Sequence, residues 1–128
     1  MYVADTHGLV WHLTRDKKLG KTAFVLFQKT DKGEEIIIVP TIVLAEIMYV
    51  CERKEQQLKA REVLGKFRKS MNYPLYNLDF NVLEKAMALG SITELHDRII
   101  IATALLMGAP LITKDETIIK SKLVKTIW

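Results

Sequence analysis

The fold is decided by the stretch IIIVPTIVLAE at residues 36–46. Its first part, residues 36–39, is a continuous run of β-branched side chains, which is typical of a strand buried on both faces of a parallel sheet. Pro40 and Thr41 end this strand and begin a helix that we predict from Ile42 to about Arg53. A buried strand that leads directly into a helix indicates one βα unit of an α/β protein.

The same alternation of short apolar segments and helical patterns continues along the chain. The other predicted strands are residues 2–4, 74–78, 111–113 and 123–128. The other predicted helices are capped or begun by Thr6, Thr22, Glu55, Asp79 and Asp97, and a short one follows Asp115. Because parallel strands need crossover connections, this order predicts an α/β fold with a central, mainly parallel sheet flanked by helices. No repeat or flexible linker interrupts it, so we expect residues 1–128 to form a single domain.

The bulk composition limits the classes of protein to consider. The 128 residues are 49% hydrophobic and 27% charged, which excludes a disordered chain. The net charge of +4 favours a polyanionic partner such as RNA, although it serves solubility alone equally well. The single cysteine allows no intrachain disulfide, no stretch reaches the roughly 18 apolar residues that span a bilayer, and the first residues lack the basic region of a signal peptide. We therefore expect a cytoplasmic protein without membrane contact.

Four acidic residues carry the prediction of function. Asp5 and Asp115 each follow a predicted strand, and ligands of open α/β sheets bind beyond the carboxyl ends of the strands. Asp97 opens a strongly apolar helix, so it can face the same rim. Glu46 lies inside an apolar helix, where an unpaired carboxylate is costly. These positions predict a cluster of carboxylates.

A divalent cation would relieve the repulsion within such a cluster. Mg²⁺ and Mn²⁺ prefer oxygen ligands, attract a phosphodiester and activate water, so the cluster indicates phosphodiester hydrolysis. Each acid also has a plainer interpretation: Asp97 as a helix cap, Asp115 as a turn residue, and Asp5 as a helix-initiating acid in competition with Thr6. From the residues alone, these alternatives stay open.

Four sequence blocks together resemble a known family. They are ADTHGLVW (residues 4–11), IVPTIVLAE (38–46), HDRIIIATA (96–104) and GAPLITKD (108–115). In this order and spacing they resemble the PIN-domain family, and within it the VapC-type ribonuclease toxins of toxin–antitoxin pairs. The resemblance implies an α/β/α sandwich and an endoribonuclease that depends on one or two Mg²⁺ or Mn²⁺ ions. It also implies a homodimer and a small antitoxin partner.

The resemblance assigns roles to individual residues. Asp5, Glu46, Asp97 and Asp115 match the four acids of the family's site and are expected to be its metal ligands. Of these, Glu46 is expected to lie nearest the attacking water and to position or deprotonate it. Thr113 matches a hydroxyl residue that hydrogen-bonds a carboxylate or a water molecule.

Several neighbours of the acids are expected outside this set of four metal ligands. Thr6 matches the hydroxyl residue beside the first acid, and Glu94 is expected to lie outside the inner ligand set. His7 and His96 either assist a proton transfer or make local hydrogen bonds, and the local bonds are favoured. Arg98 either contacts phosphate or pairs with Glu94.

Two other functions fit the same sequence. One is a catalytically silent RNA-binding or assembly module with the same fold, which metal binding would distinguish. The other is a DNA nuclease related to flap-cutting enzymes, against which the small size argues. The apolar residues of 55–69 and of the first two helices either form the dimer interface or belong to the core.

Overall fold

A computed structural model of the chain describes residues 1–53 and 59–128. The strands are β1 (Tyr2–Ala4), β2 (Ile37–Pro40), β3 (Leu75–Tyr76), β4 (Leu111–Ile112) and β5 (Thr126–Ile127). The helices within the described residues are α1 (Thr6–Thr14), α2 (Lys21–Asp31), α3 (Thr41–Arg53), α4 (Ala60–Lys69), α5 (Phe80–Met87), α6 (Leu95–Leu106) and α7 (Glu116–Ser121). All the strand pairs are parallel, which confirms the predicted α/β fold with helices flanking a parallel sheet.

The strand order of the sheet is β3-β2-β1-β4-β5. The chain therefore builds the sheet outward from β1 to one side, and then returns to build β4 and β5 on the other side. Val3 pairs with Leu111, and the backbone N–H of Asp5 donates to the carbonyl of Ile112 at 3.1 Å. The carboxyl ends of β1 and β4 thus lie side by side at the switch point, where open sheets form a ligand crevice.

The core surrounds the middle of this sheet. All four residues of β2 and both residues of β4 are buried, as the β-branched run at residues 36–39 predicts, although Ile36 itself precedes the strand and is exposed. Six consecutive residues of α6, from Ile99 to Ala104, are also buried. A helix that is apolar on all sides belongs inside the protein, and α6 packs against α3, α5 and β1.

Two helices begin differently from the prediction. Thr6 is not the cap of α1, because the Oδ1 atom of Asp5 accepts the hydrogen bond from the backbone N–H of Thr6 at 2.6 Å. Helix α6 begins at Leu95, before Asp97, because the carboxylate of Glu94 accepts from the backbone N–H of Asp97 at 2.9 Å. Glu94 therefore performs the capping role that Asp97 was predicted to have, and the plainer interpretation of Asp97 is wrong.

Only one side of α2 packs against the core. Phe24 and Val25 are both about half exposed, whereas Phe27 is fully buried. The buried residues of α2 follow one helical stripe and are Ala23, Leu26, Phe27 and Thr30. Phe24 and Val25 fall outside this stripe, because positions one and two after Ala23 turn away from it.

The remaining differences concern element bounds. The helix predicted over residues 55–69 is described as α4 from Ala60, and its predicted start lies outside the described residues. Helix α5, whose start at Asp79 was predicted, ends at Met87. Across residues 1–53 and 59–128, no helix has both the length and the apolar character needed to cross a membrane.

Trp128 joins the end of the sheet to the first two helices. Its ring lies edge-on to Trp11, with 5.6 Å between the ring centroids, and it also lies beside Gly8 and Gly20. A Cβ atom at Gly20 would be 2.6 Å from the ring Cδ1 and 2.7 Å from the backbone carbonyl carbon of Trp128. The position of Trp128 therefore requires the absence of a side chain at residue 20.

We predict that Gly20→Ala lowers the free energy of unfolding by about 1–3 kcal/mol, the usual cost of forcing an extra methyl group into a packed site. Gly65→Ala is the matched control, because a Cβ there meets nothing within 4 Å and lies inside α4. It should raise the free energy of unfolding by about 0.5–1 kcal/mol. Urea unfolding followed by circular dichroism measures both. A Gly20→Ala variant as stable as the original would contradict the packing described here.

Candidate functional site

A cavity of about 420 Å³ lies at the carboxyl ends of β1 and β4. All four predicted acids line it. Asp5 follows β1, Asp115 follows β4, Glu46 lies on α3 and Asp97 lies in the first turn of α6. Four carboxylates that are far apart in the sequence therefore face one space.

Asp5 is held by two donors. It is 5% exposed, and its Oδ1 accepts from the backbone N–H of Thr6 while its Oδ2 accepts from the hydroxyl of Thr113, each at 2.6 Å. The Thr113 hydroxyl in turn accepts from the backbone N–H of Asp115 at 3.0 Å. Burial raises the pKa of Asp5, and the hydrogen bonds from Thr113 and Thr6 act against that shift. Thr113 thus joins the acids that follow β1 and β4.

Asp97 lies among the other acids of the cluster. Its pKa is raised from 3.8 to about 6, mainly by burial and in addition by the negative charges of Asp115, Glu94, Asp5 and Glu46. A carboxyl group with this pKa is mostly charged at neutral pH and takes up a proton as the pH falls through about 6. A cation placed among these side chains would favour the charged form instead.

Asp115 lines the cavity and also caps a helix. Its Oδ1 accepts from the backbone N–H of Ile118 at 2.9 Å and caps α7. It is therefore a helix cap, and not only the turn residue of the plainer interpretation. A carboxylate has two oxygen atoms, so capping with one leaves the other able to bind a ligand.

The sequence suggested that Glu46 is an unpaired carboxylate among apolar neighbours. In the structure it is partly exposed and has two hydrogen-bond partners. Its side chain is 25% exposed, its Oε2 accepts from the Thr6 hydroxyl, and its Oε1 lies 2.8 Å from the Nδ1 of His96. These partners are 40 and 50 positions away in the sequence, so no local pattern could identify them.

The other candidate residues take simpler places. His7 is exposed beside the cavity, with its ring 5.7 Å from that of Trp11. The Nε of Arg98 donates to the backbone carbonyl of Ile92, which is neither of the two contacts predicted for it. Glu94 caps α6, so it supports the turn that carries Asp97.

One side of the cavity is apolar, and the sequence analysis missed it. Ile42, Tyr49 and Val50 line the cavity together with Glu46. They stand four positions before, three after and four after Glu46, which is the spacing of residues that share one helix face. That spacing was a usable signal.

The acids of the cavity suit a metal ion by their chemistry, although they are not assembled into a ligand group within the described residues. Within residues 1–53 and 59–128, no three His, Cys, Asp or Glu side chains already lie close enough together to form a ligand group. Charge and chemistry nevertheless suit a hard divalent cation: the acids offer oxygen ligands, and no lysine or arginine is among the described residues that line the cavity. The pKa of Asp97 is raised by burial and also by the negative charges of the neighbouring acids, and such an ion would reduce that repulsion.

Comparison with known proteins shows the same fold in solved structures, although no curated protein matches the sequence. VapBC2 from Rickettsia felis, bound to a DNA fragment from their promoter, has a chain that is 18% identical with a TM-score of 0.73, covering 99% of this chain and 98% of that one. A chain of a toxin–antitoxin complex from Klebsiella pneumoniae is 20% identical with a TM-score of 0.68, and the match covers 100% of this chain and 97% of that one. A chain of DNA-bound VapBC from Salmonella typhimurium is 13% identical with a TM-score of 0.71, and the match covers 98% of this chain and 96% of that one.

At these identities the structural likeness establishes the fold alone. The family follows from the sequence itself, because the PIN domain profile matches residues 2–122, a range that contains β1 to β4 and all four acids. The chain belongs to the PIN domain family.

Proposed function

We propose that this protein is a metal-dependent endoribonuclease that hydrolyses RNA phosphodiester bonds. The observation that carries the proposal is the convergence of Asp5, Glu46, Asp97 and Asp115 on one cavity at the switch point of the sheet. The raised pKa of Asp97 supports it, because nuclease sites that use divalent ions gather carboxylates in this way. The net charge of +4 favours a polyanionic substrate.

The residues that would hold the metal are Asp5, Asp97 and Asp115, with Glu46 as a fourth carboxylate. When bound, one or two Mg²⁺ or Mn²⁺ ions would lower the pKa of water and stabilise negative charge on the phosphate and leaving oxygens. The chain itself contributes orientation. Thr113 fixes the carboxylate of Asp5, and Glu46 would accept a proton from the attacking water.

The proposal extends to the biological setting. The likeness to chains from VapBC and toxin–antitoxin complexes supports a role as the toxin of such a pair, with a small antitoxin as partner. A homodimer and a cytoplasmic location complete the proposal. Light scattering on the purified protein tests the dimer, and co-purification with the product of the adjacent short gene tests the partner.

A catalytically silent RNA-binding module remains the second candidate. It is favoured by one observation, that no ligand group is already assembled among the described residues. Isothermal titration with Mn²⁺ separates the two functions, since a silent module has no need to bind the ion.

We predict that the protein cuts structured RNA in the presence of Mn²⁺ or Mg²⁺, and that EDTA abolishes cleavage. Asp5→Asn should lower the rate by on the order of 100-fold, because it removes a charged ligand from the centre of the cluster. Asp79→Asn is the matched control: Asp79 caps α5 through Val82 N–H at 3.0 Å, and asparagine caps equally well.

Parallel reactions with RNA and DNA of the same sequence decide the substrate. Cleavage that survives Asp5→Asn or that ignores EDTA would refute a metal-dependent mechanism. Preferential cleavage of DNA would refute the ribonuclease assignment.

We also predict a pH-dependent effect of Asp97 on metal-free stability. Its pKa in the folded protein is about 6, compared with 3.8 as the ordinary value, so the folded state binds this proton more tightly than the unfolded chain does. Stability from this group is therefore fully present below about pH 4 and is lost as the pH rises through about 6.

Asp97→Asn should accordingly raise the melting temperature of the metal-free protein at neutral pH by roughly 2–5 °C and have a smaller effect near pH 4. The same variant should lose the stabilisation that Mn²⁺ gives to the original protein. Thermal unfolding at several pH values, with and without Mn²⁺, measures both effects. A variant with an unchanged melting temperature and a full response to Mn²⁺ would show that Asp97 lies outside the metal site.

A further inference from the structure

His96 makes a contact that the catalytic scheme above does not use. Its Nδ1 lies 2.8 Å from the Oε1 of Glu46, while the Thr6 hydroxyl donates to the other oxygen, Oε2. We propose that His96 is a positioning residue, which together with Thr6 holds the carboxylate of Glu46 in the orientation needed for the reaction. This inference rests on the proposed nuclease function.

The contact has a consequence for the tautomer of the imidazole. An ionised Glu46 can only accept hydrogen bonds, so the proposed role calls for a hydrogen on Nδ1 of His96. Each oxygen of the Glu46 carboxylate has one donor. The carboxylate therefore cannot rotate about its Cγ–Cδ bond without breaking at least one of these contacts. A proton acceptor must be held within hydrogen-bonding reach of the water that it serves, and this arrangement provides that restraint.

The contact between His96 and Glu46 contributes little to folding stability and belongs to the cavity of the acids. The side chain of His96 is 44% exposed and that of Glu46 is 25% exposed, and both residues line the cavity. Ion pairs with this much exposure to water contribute little to folding stability. The value of the contact therefore lies in the orientation that it imposes.

His12 provides the contrast within the same chain. Its Nε2 lies 3.1 Å from the Oδ2 of Asp31, its side chain is 13% exposed, and its ring stacks on Phe27 with 4.5 Å between centroids. The Tyr73 hydroxyl donates to the same carboxylate at 2.8 Å. None of these residues lines the cavity that holds the acids. His12 thus has the same pairing as His96 but in a packed, structural setting.

The position of His96 follows from the start of α6. Glu94 caps this helix by accepting from the backbone N–H of Asp97, which fixes the first turn on which His96 and Asp97 are neighbours. One turn of α6 therefore supplies both a carboxylate of the cluster and the donor that orients another carboxylate.

Two substitutions at one position test the role. In His96→Asn, the side-chain amide nitrogen occupies nearly the place of Nδ1 and can donate to Glu46. His96→Leu has similar bulk and no donor. We expect His96→Leu to lower kcat by about 10-fold or more with KM for RNA changed by less than about twofold, as is usual when the partner that orients a site residue is lost. His96→Asn should recover most of this loss.

His12→Leu serves as the structural control and should lower the melting temperature, whereas His96→Leu should leave it nearly unchanged. A kcat for His96→Leu within twofold of the original would overturn the proposal. So would a His96→Asn variant as slow as His96→Leu, because the imidazole itself would then be required and not the hydrogen bond.

A second measurement needs neither metal nor RNA. In ¹⁵N-labelled, metal-free protein at a pH where the ring is neutral, NMR shows which nitrogen of His96 carries the hydrogen. We expect Nδ1 in the original protein and a shift toward Nε2 in Glu46→Ala, where the acceptor is gone. Hydrogen on Nε2 in the original protein would overturn the positioning role, even if RNA is cut. Hydrogen on Nδ1 in a protein that cuts no RNA would instead place the failure in the proposed function.

Discussion

The pairing of β1 with β4 is the constraint on which the rest of the site depends. The register that sets Val3 against Leu111 and joins the Asp5 N–H to the Ile112 carbonyl brings the two strands to the same edge of the sheet. Only with this register does the Thr113 hydroxyl reach the Asp5 carboxylate. A shift of one residue along either strand would turn these side chains to the opposite face. The backbone pairing of β1 with β4 thus determines which side chains meet at the site.

The cluster of acids at the ends of β1 and β4 lowers the stability of the folded protein. Burial and the charges of neighbouring acids both oppose ionisation of Asp97, and burial opposes that of Asp5. The surrounding structure offsets the cost, through donors to Asp5 and through the wholly buried middle of α6. Local destabilisation of this kind is expected where a protein is shaped for binding or catalysis instead of for maximal stability.

The sequence predicted the structure correctly where a single pattern determined the outcome. The β-branched run at residues 36–39 had a single interpretation, and the buried strand β2 agrees with it. Asp5 and Asp115 were found because strand ends and ligand sites coincide in open sheets. The prediction failed where two residues close in the sequence compete for one capping role, as Asp5 and Thr6 do at the start of α1 and Glu94 and Asp97 do at the start of α6, since capping depends on small differences in geometry. It also could not supply the partners of Glu46, because contacts between distant segments leave no trace in local periodicity.

The central place of β1 has a consequence for how the protein is made. Strand β1 pairs with its two neighbours, β2 and β4, at very different times during synthesis, because β4 lies more than a hundred residues after β1 in the sequence. Contacts of such long range slow folding, since a large loop must close before they form. Asp5 therefore has neither Thr113 nor Asp115 beside it until more than a hundred further residues have been synthesised. A growing chain on the ribosome holds no complete carboxylate cluster, so any activity of this site begins only with the finished fold.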